Sequence, residues 1–166
     1  MIKNLSFNKF LFVFTGIITL IAAVWGVLRP EIYNPVVNAR MVPAVFTQDL
    51  FVILASLVLI VLAIFLRQDA YRKLIIIYGI LGFFFYAYGI YSIEQIYTSL
   101  YPLYLTILAC SFYVLIFSFS SIDKHAIEKL DIAPIIRYTA AGYGIFTAIM
   151  FNFIWFSQLI PLLKSG

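Results

Sequence analysis

Asp49 and Gln48 stand side by side near the start of a long apolar run, where a carboxyl group needs a reason to be. Two roles suit it. Near a helix start it is a capping acid, meeting unpaired backbone amides and a favourable dipole. Turned toward other helices, it anchors a polar pocket with Gln48, and Arg40 lies about two turns upstream as a cation for it. Tyr88 and Tyr91 are three residues apart and share one helix face, which Glu94 continues. Tyr97, Tyr101 and Tyr104 follow, and Asn152 and Gln158 lie late in the chain, diverging by about 120° around a helix. The candidate binding residues are therefore Arg40, Gln48, Asp49, Tyr88, Tyr91 and Asn152. Tyrosines at helical spacing suit a flat apolar ligand such as a quinone or isoprenoid, provided each inward hydroxyl finds a partner. An enzymatic alternative uses Asp49 and Glu94 as acid and base, and requires the two within about 5–10 Å across a cavity.

The elements that must position these groups follow from composition. Of 166 residues, 64% are hydrophobic and 11% charged, against roughly a quarter charged in a soluble domain. A water-soluble fold of this size has too much surface to hide so much apolar matter. The expected architecture is an all-α integral membrane protein, a single membrane domain over 1–166, with about five spans. Each needs about 20 apolar residues to cross the hydrocarbon. They fall at about 10–28, 45–66, 74–93, 100–119 and 138–163. The first has 19 apolar or small residues, longer than the signal-peptide core of about 7–15, and is expected to be retained.

Counting Lys and Arg sets the expected orientation. With the N-terminus cytoplasmic, inner segments hold eight (Lys3, Lys9, Arg67, Arg72, Lys73, Lys124, Lys129, Arg137) and outer segments three (Arg29, Arg40, Lys164). The C-terminus is then outside, and Trp25 and Trp155 approach the outer interface. The Pro-rich outer connection from Arg29 to about Ala44 is expected to lie on the membrane or cap the bundle. The inner segment SSIDKHAIEKLD repeats Ile122, Ala126 and Leu130 every four residues, which predicts a short amphipathic helix in the headgroup region. Gly79, Gly82 and Gly89, with Gly142 and Gly144, are expected to let backbones approach, placing the third span centrally.

Other chemistry is excluded or bare. The net charge of +4 comes from scattered cations without a basic stripe, so nucleic acid is no expected partner. The lone Cys110 and lone His125 predict no metal site, and no cofactor motif is present. No charged residue lies mid-span, which disfavours an ion-coupled transporter. ARMVPAVFTQDLFVILASLVLIVL, FFFYAYGIY and FTAIMFNFIWFSQLIPLL together resemble a group of small bacterial multi-pass membrane proteins. In these a Gln-Asp-Leu triplet opens one span and a Tyr-rich span follows; Gln48, Asp49, Leu50, Tyr86, Tyr88 and Tyr91 match. The resemblance implies a bacterial multi-pass membrane protein and brings no reaction with it; the expected location is the cell inner membrane. The expected function is non-enzymatic binding of a lipid-like or apolar molecule, a membrane partner or a second copy, in an outer-half polar pocket. A small transporter is the remaining alternative.

Overall fold

The computed structural model describes residues 2–122 and 133–165, and the chain divides into two units, 1–123 and 124–166. The first holds α1 (Leu5–Leu28), a 3₁₀ turn (Pro30–Tyr33), α2 (Val42–Ile64), α3 (Tyr71–Ile93) and α4 (Tyr101–Ser120). The second holds α5 (Pro134–Ser165). The chain is all-α, and α1 to α4 are long and apolar enough to cross a membrane. That the fold is helical follows from lipid as solvent, where every backbone amide must bond within its own segment. Most of the expected amphipathic helix over residues 120–131, with His125, falls on 123–131, outside the described residues.

In the first unit α1 packs on α2 and α4, and α3 packs on α4 and α2. The α1–α2 pair is the most extensive contact and α2–α3 the least. Apolar side chains such as Phe12, Val52, Leu59, Leu81, Phe84 and Ile107 fill the interior. Equally apolar ones such as Phe51, Leu54, Ile75 and Ile76 point outward, as they should when the surroundings are acyl chains.

Close packing comes from α1, not α3. An added Cβ at Gly16 would lie 2.7 Å from Cγ1 of Ile60, so the glycine is where α2 comes nearest. Nothing lies within 4 Å of a Cβ added at Gly79, Gly82, Gly142 or Gly144, and at Gly89 the contact is an ordinary 3.8 Å. The glycine-rich third span is therefore not drawn into the middle; each of the four helices has two neighbours. Apart from Phe12, the buried face of α1 is small or polar, with Thr15 and Thr19 donating to the carbonyls of Leu11 and Thr15 at 2.8 and 2.7 Å. These bonds satisfy hydroxyls that have no water to turn to.

The end of the bundle bearing the N-terminus is tied shut. Lys3 donates its amide to the Ser121 carbonyl at 2.8 Å and Ile2 is buried, while Asn4 turns the chain into α1 with φ of 51°. Lys9 and Lys73 donate to the carbonyls of Ile64 and Phe65 at the end of α2, at 3.0 and 3.1 Å. Cations there satisfy carbonyls that the helix itself leaves open.

Gly16→Leu is expected to cost about 1–3 kcal/mol by overpacking the α1–α2 seam. Gly79→Ala is expected to be neutral or to stabilise by up to about 1 kcal/mol through helix propensity. Thermal unfolding of both variants in detergent checks the contrast.

Candidate functional site

Helix α2 starts at Val42, three residues before the expected Val45, with Pro43 in its first turn and no side-chain cap. Asp49 is thus about two turns inside the helix, beyond the unpaired amides, and the capping role is excluded. Its side chain is buried (2% exposed) and looks into the bundle. Neighbouring residues on a helix diverge by about 100°. Gln48 accordingly leaves the interior and is half-buried on the α2–α3 side. The two residues that read as one polar pair serve two different surfaces.

Asp49 is held by tyrosines. The Tyr33 hydroxyl donates to Oδ2 at 2.6 Å, short for an O–H···O bond, and Tyr91 donates to Oδ1 at 3.3 Å. With the Tyr33 proton directed at Asp49, Tyr104 donates to the Tyr33 oxygen at 3.3 Å. The ring of Tyr91 meets those of Tyr104 and Tyr88 at 5.1 and 5.7 Å between centroids, with edge-to-face geometry that favours such pairs. Tyr88 is 1% exposed, and its hydroxyl finds no partner among the described residues. Burial first, and then the charge of Asp49, push the Tyr33 hydroxyl well above the usual phenol range, so it stays a donor.

Three elements make room for this centre. Gly26 on α1 faces it, and a Cβ there would collide with Oδ2 of Asp49 and the hydroxyl of Tyr33. Tyr33 arrives from the 3₁₀ turn that Pro30 initiates, and it is fully buried although it belongs to a connection. Tyr104 is supplied by the first turn of α4. Asp49, Tyr88 and Tyr91 were legible as candidates; Tyr33, Tyr104 and Gly26 were not chosen. A tyrosine three residues after a proline, in a connection expected to cap the bundle, was the available clue.

Arg40 and Glu94 lie outside this centre. Arg40 is exposed on the connection, its amide donated to Oδ1 of Asn38 at 3.0 Å. Glu94 is exposed at the end of α3. Asn152 is exposed on α5 and donates to the Ala148 carbonyl at 2.8 Å, a local bond that partly satisfies an amide in apolar surroundings.

A second feature sits on the opposite side of α2 from the carboxyl. Ala44, Gln48, Phe51, Leu54, Ala55 and Val58 of α2 face Ile76, Ile80 and Phe83 of α3 across a groove of about 650 Å³. That is a usual size for a small-molecule site. Ala44 and Val58 are 14 residues apart, so the groove runs about 21 Å along the helix. Its walls are apolar except for Gln48, whose amide both donates and accepts. The site thus has a closed polar centre and, one residue away on α2, an open apolar channel with a polar end.

Gly26→Ala is expected to destabilise the bundle by about 1–3 kcal/mol by driving the carboxyl and the Tyr33 hydroxyl apart. Tyr33→Phe, which leaves a carboxyl oxygen unpaired, is expected to cost about 1–3 kcal/mol. It should also release the connection, read as faster hydrogen exchange over residues 30–38. Unchanged exchange there would mean that the connection is held by other contacts. The chain matches no protein-family model, no curated protein and no solved structure, so the geometry about α2 carries the functional reading.

Proposed function

We propose that this chain is a multi-pass protein of a bacterial inner membrane that holds an apolar, lipid-like molecule in the groove between α2 and α3. The observation that carries the reading is that groove, about 650 Å³, lined by apolar side chains and ended by the Gln48 amide. An apolar channel running along two helices, with a single polar group in its wall, is the kind of site that takes a hydrocarbon chain. In this reading α5 is the fifth span, the N-terminus is cytoplasmic and the C-terminus outside. The eight-to-three distribution of Lys and Arg supports that orientation.

The carboxyl–tyrosine centre has a supporting role in the same scheme. Ionisable groups at membrane depth are costly, and a buried Asp49 met by two hydroxyls fixes both the rotation of α2 and the position of the outer connection. With α2 fixed, Gln48, Phe51, Ala55 and Val58 are held toward the groove. Binding here is a matter of shape and apolar contact, and the scheme involves no bond-making step.

Reconstitution with a lipid carrying a photoreactive group on its chain tests the reading. Adducts are expected on Phe51, Leu54, Ile80 and Phe83, and Gly79→Leu, which adds a side chain on the groove face of α3 where space is open, is expected to reduce them several-fold. Adducts spread evenly over the outward faces of all four helices would contradict it.

A further inference from the structure

We infer that the occupant of the groove is an anionic phospholipid, with one chain between α2 and α3 and its phosphate at Arg72, at the end of the bundle that carries the N-terminus. The inference rests on the lipid-binding reading and adds the headgroup and the direction in which the molecule lies. Ile76 forms the wall of the groove nearest the start of α3. Arg72 precedes it by four residues, which puts both on one face of α3, with the Arg72 backbone about 6 Å further along the helix axis. Arg72 is exposed, as is Arg67 in the turn before it.

Charge at the two ends of the groove differs. From Arg67 to Lys73 the chain carries three cations and one anion, Asp69, for a net +2. One of these cations, Lys73, donates to the Phe65 carbonyl, which leaves Arg67 and Arg72 as the exposed pair. At the other end the wall is Ala44 and Gln48, and the flanking charges, Arg40 four residues before Ala44 and Glu94 at the end of α3, cancel. Helix α3 also begins there without a side-chain cap and without an acidic residue in its first turn. Its positive end therefore adds to the attraction that Arg72 exerts on a phosphate. A guanidinium suits this partner because its fork matches two phosphate oxygens.

The length agrees with this orientation. A chain starting at Arg72 and lying along the groove passes Ile76, Ile80 and Phe83 in turn and reaches the level of Gln48, ten residues or about 15 Å from Val58 along α2. Apolar walls then cover the hydrocarbon while the phosphate stays in the headgroup layer. The reverse orientation would put a negative headgroup at the end where the flanking charges of Arg40 and Glu94 cancel.

The test uses the full chain in nanodiscs of equimolar phosphatidylglycerol and phosphatidylcholine, with co-purifying lipids counted by native mass spectrometry. Retention of phosphatidylglycerol over phosphatidylcholine is expected, and Arg72→Gln should lower that preference about fivefold, the effect of one cation at an anionic membrane surface. Arg72→Lys should keep most of it. Equal retention of the two lipids by the unaltered chain, or a preference untouched by Arg72→Gln, would overturn the headgroup assignment while leaving lipid binding in place. Retention of neither lipid would overturn both.

Discussion

The bond from the Tyr33 hydroxyl to Oδ2 of Asp49, 2.6 Å long and buried, is the constraint around which the first unit is arranged. A carboxyl group among apolar helices has no water to fall back on, so whatever satisfies it must be built from the chain. Here that requires a glycine on α1 to clear the space, a tyrosine from the 3₁₀ turn, another from α3 and a third from α4. Three other helices and one connection thus converge about a single residue of α2. Removing the carboxyl would take the acceptor from the Tyr33 and Tyr91 hydroxyls together, which is why the cluster acts as a unit rather than as separate contacts.

The same constraint explains why α2 has two unlike faces. Once Asp49 is turned inward, the 100° step of the helix fixes Gln48 toward α3, and Phe51, Ala55 and Val58 follow at helical spacing. The α2–α3 contact is the least extensive of the four around the bundle, and the space that would have been packed by side chains becomes the groove. Polar anchoring on one side and looseness on the other are therefore linked. Rigid placement of α2 against α1 is what allows a gap against α3 to keep its shape.

Much of this was readable from residue order, because lipid imposes simple rules. Runs of about 20 apolar residues located α1 to α4, and starts differed from expectation by one to five residues. The shift that mattered was at α2, where Pro43 begins the helix earlier than the apolar run suggests and moves Asp49 from its mouth to its interior. Glycine counting misled, since α3 has three glycines without a close neighbour, whereas Gly16 and Gly26 of α1 carry the tight contacts. Whether a glycine makes room depends on what stands opposite, and that is a tertiary fact. Tyr33 escaped for a related reason: it is brought to Asp49 by the path of the connection, 16 residues distant along the chain, and no periodicity encodes that path.

A double-mutant cycle between Tyr33→Phe and Asp49→Asn, measured by unfolding in detergent, addresses the central interaction most directly. If the two side chains are bonded as described, the double variant should be less destabilised than the sum of the singles, with a coupling of about 1–3 kcal/mol. Additive costs, within about 0.5 kcal/mol, would mean that Tyr33 does not hold Asp49, and the arrangement of α2 would need another explanation.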